Sequence, residues 1–136
     1  MSSFTYKVWT SLTVDVLFNK LVAVLSEVGF TLENPISGMC QIWNEEGESN
    51  DVAPSEMKNI DWKKLLPLSV QWWKGEDDIF VTLMNEETVG GTLCYLRLVG
   101  LRREEEAEIG RLLILHVVPD KREFPDDFSV FAIDAQ

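Results

Sequence analysis

Cysteine, histidine and basic side chains are all scarce in this chain of 136 residues, which has two Cys, one His and twelve Lys or Arg against twenty-three Asp or Glu. Each scarcity narrows the function. Cys40 and Cys94 share no CxxC spacing and sit in apolar surroundings, Met39-Cys40-Gln41-Ile42 and Leu93-Cys94-Tyr95-Leu96. Buried free thiols are therefore expected, with a single disulfide as the alternative in a secreted protein. One histidine, His116, and two distant cysteines are too few nitrogen and sulfur ligands for a zinc site. Thiol–imidazole catalysis would need a cysteine beside His116 and a positive environment, which an acidic chain does not offer. The net charge of −11 repels phosphates and anionic lipid, so nucleic acid and membrane surfaces are not expected partners. No apolar run approaches the length of a membrane span. GxxxxGK[ST] and GxGxxG are both missing, Gly90-Gly91 is a turn dipeptide, and neither acidic stretch has the EF-hand spacing. No cofactor and no metal are expected. Met1–Thr10 has no basic segment leading into an apolar one, so the expectation is a cytoplasmic protein without a signal peptide.

What remains is ordinary globular composition, 46% hydrophobic and 26% charged, over a length that fits residues 1–136 as a single domain. Residues 4–9 alternate as a strand. Val14, Leu17, Leu21, Val24, Leu25 and Val28 then recur at helical spacing, with Thr13 placed to cap the start and Gly29 to stop the end. Residues 37–45 read as a strand with Met39, Gln41 and Trp43 on one side and Cys40 and Ile42 on the other. Residues 44–55 lose all periodicity and read as an exposed acidic loop. Residues 55–66 read as a short helix that Pro67 ends. Residues 68–73 and 78–86 read as a hairpin, 92–100 as a further strand, and 102–116 as a helix interrupted by Gly110. Within it, Leu112–Val118 also fits a buried strand. Arg102–Glu106 pairing and early glutamates suit the start of that helix. Ile109, Leu112, Leu113 and His116 fall on one helical face, which makes His116 a partly buried, hydrogen-bonded residue and not a catalytic base. Residues 128–135 close the chain as a strand. The order suits an α+β fold with an antiparallel or mixed sheet of about five to six strands and two to three helices packed mainly on one face.

Trp72 and Trp73 are adjacent in one strand, so they must point to opposite faces. Val70, Trp72, Ile79, Val81 and Leu83 form a uniformly apolar face that meets the helices. Gln71, Trp73, Phe80, Thr82 and Met84 form a mixed opposite face. The following strand adds either Cys94, Leu96 and Leu98 or Leu93, Tyr95, Arg97 and Val99, depending on register. Trp73, Phe80, Met84 and Tyr95 thus become candidate partner-binding residues, an aromatic and methionine set typical of interface cores. Glu76, Asp77, Asp78, Glu86 and Glu87 lie at hairpin ends and join them as acidic residues that would steer a basic partner. A two-carboxylate hydrolase has no specific signal here, because twenty-three acids always offer pairs.

A small, acidic, tryptophan-rich α+β chain without catalytic motifs is similar in style to bacterial toxin-neutralising immunity proteins. That likeness carries no aligned motif and transfers no residue roles. It implies an inhibitor that binds a cationic toxin or enzyme and occludes its active site. The alternatives are a small enzyme or ligand-binding domain with an aromatic pocket, and a homodimeric subunit that buries the same face.

Overall fold

The computed structural model describes residues 4–135. Residues 1–3 and 136 of the expected single domain, with the first part of the segment read for a signal peptide, lie outside the described residues. In chain order the elements are β1 (Phe4–Thr10), α1 (Val14–Glu27), β2 (Cys40–Trp43), β3 (Ser49–Val52), α2 (Trp62–Leu65), β4 (Leu68–Lys74), β5 (Asp77–Asn85), β6 (Thr92–Leu98), α3 (Arg103–His116) and β7 (Phe131–Ala135). Short 3-10 turns span Pro54–Asn59 and Lys121–Glu123. The strands form one seven-stranded sheet in the order β3-β2-β4-β5-β6-β1-β7, antiparallel throughout. The α+β class is as expected, with one strand more than the five to six anticipated.

The extra strand is β3, inside the 44–55 stretch expected to be a loop. Asn44 closes the turn locally. Its side-chain oxygen accepts from the backbone N–H of Glu46 and of Glu48, and its own N–H donates to Glu48 O at 2.9 Å. That turn folds Ser49–Val52 back onto β2 as an edge strand. Ser49, Asn50 and Asp51 stay exposed and only Val52 packs against the core, so one apolar residue leaves no hydrophobic periodicity to read.

The periodicity of α1 reflects its packing: Val14, Leu17, Phe18, Leu21, Val24 and Leu25 are its buried residues. Thr13 occupies the cap position, but its side chain makes no capping bond. The other end is tighter. Gly29 adopts φ +94°, its N–H donates to Ser26 O, and the Phe30 N–H donates to Leu25 O, the two bonds of a Schellman stop. Residues 55–66 are not one helix, because the backbone is extended at Ile60 between the 3-10 turn and α2.

Residues 103–116 are helical throughout, which decides Leu112–Val118 against a strand. Gly110 sits where α3 meets β1. The Tyr6 hydroxyl donates to Glu106 O at 2.7 Å, and a Cβ on Gly110 would come within 2.9 Å of that hydroxyl. Glycine here permits close approach and does not break the helix. The start of α3 pairs Arg102 with Glu105 and Arg103 with Glu106 at i,i+3, not at the expected i,i+4. His116 is exposed, contrary to the partly buried reading. It shares the helical face of Ile109 but stands at the last helical residue, against Lys20 and Glu27 of α1, and Val117 enters the core in its place.

The core lies between the helices and one face of the sheet. One row of it crosses five strands as Tyr6–Leu96–Val81–Val70–Ile42. Leu17, Leu21, Leu25, Ile109 and Leu113 cover that face from the helices. Each such buried side chain contributes about 1.5–3 kcal/mol of hydrophobic free energy.

Candidate docking face

The second face of the sheet carries none of the residues of that core. Strand alternation dictates its contents, and the register fixes their neighbours. One row runs Trp43–Ser69–Thr82–Tyr95–Lys7, and a second runs Gln71–Phe80–Arg97–Thr5. Cys94, Leu96 and Leu98 therefore point inward, and Leu93, Tyr95 and Arg97 point outward. Trp72 is 1% exposed and packs 5.8 Å from Phe18, whereas Trp73 faces outward opposite Asp78. Trp43, Trp73, Phe80, Met84 and Tyr95 are all partly exposed on this side. Trp73 is held through its backbone, which exchanges two hydrogen bonds with Thr31, and its indole N–H is buried without a partner.

The face is pre-arranged by polar contacts within it. The Trp43 indole N–H donates to Gln71 Oε1 at 3.1 Å, and the Gln71 amide donates to Asp78 Oδ2 at 2.6 Å. Gln71 is only 5% exposed, and this chain satisfies both ends of its amide. Phe80 meets Trp43 edge to face, with ring centroids 6.0 Å apart at 70°. The Ser69 and Thr82 hydroxyls join at 2.7 Å. The corner formed by β1 and β6 is closed differently. Trp9 is buried there under Phe128, and its indole N–H donates to Gly90 O.

The structure divides the acidic candidates between the two ends of the sheet. Glu76 and Asp77 lie at the β4–β5 turn, where Gly75 at φ +60° takes the first central position as in a type II′ hairpin. Asp78 belongs to β5 and is engaged by Gln71, so it is not a free turn charge. Glu86 and Glu87 follow the other end of β5, roughly 25–30 Å away at strand rise. Glu45, Glu46 and Glu48 share that second end, because Trp43 at the close of β2 pairs with Ser69 near the start of β4. The strong positive charges on this face, Arg97 and Lys7, sit on β6 and β1, away from the Trp43 half. Lys7 Nζ is 5.7 Å from the Phe128 ring centroid.

Trp43, Gln71 and Arg97 were not among the expected partner-binding residues. The alternation of β2 already sets Trp43 opposite Cys40 and Ile42. What placed it beside Phe80 is the β2–β4–β5 register, which no local pattern reveals.

The displaced titrations lie elsewhere. Lys74 Nζ donates to Glu105 Oε2 at 2.7 Å, and with the Arg102 N–H and guanidinium this holds the Glu105 carboxyl down at about 2 despite burial. Arg111 lowers Glu108, and Arg122 lowers Asp120. Burial pushes the Cys40 thiol up to about 11, with help from Glu33, and the Cys94 thiol up to about 12. Both cysteines are free and buried on the core side. Among the described residues no group of three or more His, Cys, Asp or Glu is placed to hold a metal, and no helix is long and apolar enough to cross a membrane.

Two cavities of about 380 Å³ each lie on the helix side, along α1 and the Pro54–Lys63 segment with Trp62 as a shared wall. The cavity on the aromatic face is far smaller, about 60 Å³ beside Trp43. No protein-family model, curated protein or solved structure matches this chain.

Proposed function

We propose that this chain is an acidic protein-binding module that docks a cationic protein on the helix-free face of its sheet. It neutralises that partner by covering its active site, as an immunity protein does a toxin. One observation carries the reading: Trp43, Trp73, Phe80, Met84 and Tyr95 gather on one face, outside the core, with acidic turns at both ends of the strands. Each of the five is already partly buried, so covering what remains of it releases only part of the roughly 1.5–3 kcal/mol that full burial gives. These anchors fix position, and the contacts around them must supply the rest of the roughly 4–15 kcal/mol that association costs. The acidic turns raise the encounter rate with a basic partner and lower it with an acidic one. An enzyme or ligand binder that uses an aromatic pocket on this face is less favoured, because the cavity beside Trp43, about 60 Å³, is well below the roughly 300–1,000 Å³ of ligand sites.

Affinity capture from the native host at low and at high salt, read by mass spectrometry, tests the proposal. A basic protein retained at low salt and released at high salt supports it. Retention of only acidic or salt-insensitive proteins contradicts it.

A further inference from the structure

The small cavity on the sheet face has a chemistry of its own. Its walls include Trp43, Glu45, Pro67, Ser69 and Thr82. Trp43 is fixed from two directions, by its hydrogen bond to Gln71 and by the edge-to-face contact with Phe80. An indole held that way keeps its ring at a constant angle to the notch. Glu45 stands at the rim on the turn that Asn44 closes, and its carboxylate has no hydrogen bond or ion pair among the described residues. Ser69 and Thr82, whose hydroxyls bond each other, add oxygen acceptors to the wall. Glu46, Glu48, Glu86 and Glu87 share this end of the sheet and make its field negative.

We infer that this notch is a receptor for one arginine side chain of the docked partner. An aromatic wall, a free carboxylate and hydroxyl acceptors at one mouth recognise a cation. A planar guanidinium suits it better than an ammonium, because it stacks on the indole while its N–H fork reaches carboxylate and hydroxyl oxygens. The size agrees: about 60 Å³ is on the scale of a guanidinium head. This inference rests on the docking-face proposal and names its anchoring point.

The test is a titration of the whole chain with Nα-acetyl-arginine methylamide, followed through the Trp43 indole N–H resonance by ¹H–¹⁵N NMR. The isosteric neutral citrulline amide and the lysine amide serve as comparisons. A saturable shift is expected with arginine, a weaker one with lysine and none with citrulline. Glu45→Gln, an exposed turn substitution whose spectrum also reports the fold, should weaken arginine binding roughly threefold to fivefold. A Trp43 resonance that stays still, that responds equally to citrulline, or that responds unchanged in Glu45→Gln overturns the inference. The two proposals fail separately. If a basic partner is captured through Trp73 and Phe80 while the arginine probe does nothing, only the notch is lost. If the probe binds at Trp43 but no basic partner uses this face, only the docking proposal is lost.

Discussion

Trp72 and Trp73 are neighbours in β4 that serve opposite sides of the sheet: Trp72 packs against Phe18 under α1, and Trp73 stands opposite Asp78 on the side without helices. The same substitution should therefore have unequal consequences. Trp72→Ala is expected to cost about 3–5 kcal/mol, the range for emptying an aromatic core site. Trp73→Ala should cost about 1–2 kcal/mol and weaken partner binding. Urea unfolding of the two variants measures the difference; equal losses would place Trp73 in the core.

Gly110 and Tyr6 define a second expectation. Alanine at 110 gains about 1 kcal/mol of helix propensity but crowds the Tyr6 hydroxyl. Overpacking should win, with a net loss of about 1–2 kcal/mol. In a Tyr6→Phe background the hydroxyl is gone and the nearest atom is the ring carbon at 3.1 Å, so Gly110→Ala should then cost clearly less. Additive losses in this double-mutant cycle would contradict the contact.

Stability toward acid should depend on Glu105. Its folded-state pKa of about 2 lies below the ordinary 4.5, so its contribution is complete above about pH 4.5 and fades as the pH falls toward 2. Lys74→Met keeps an aliphatic stem and removes the ammonium, whose hydrogen bond to Glu105 is the largest cause of the shift. The variant should lose about 1.5–3 kcal/mol at pH 7 and much less near pH 2.5. A loss that does not change with pH would refute this linkage.

The thiols offer a simpler check. With titration pushed up to about 11 and 12 by burial, Cys40 and Cys94 hold little thiolate at neutral pH. An aromatic disulfide reagent should find almost no reactive thiol in the native protein and two in denaturant. Rapid native reaction at Cys40 would mean that the β3–β2 end of the sheet opens readily.

Much of this architecture is legible in the residues. The α1 stripe is visible because one helical face meets a core and the other meets water, and the β4–β5 alternation shows for the same reason. That alternation puts Trp73, Phe80 and Met84 on one side before any coordinates. Tyr95 and Arg97 need the β5–β6 register, which is a matter of pairing between distant segments. β3 is hidden because only Val52 of its four residues reaches the core, and one apolar residue sets no period. His116 misleads for a related reason: helical phase places it with Ile109, but phase does not say where the core ends. The strand read over 78–86 already separates the two acidic turns; that Glu45, Glu46 and Glu48 join Glu86 and Glu87 at one end needs the β2–β4 register.

The most direct test of the docking face is hydroxyl-radical footprinting of the chain alone and bound to its captured basic partner. Protection of Trp43, Trp73, Phe80, Met84 and Tyr95 is the predicted result, with Ile114 and Leu115, exposed on α3, labelled equally in both states. Protection confined to α3, with the five sheet residues unchanged, would contradict the account.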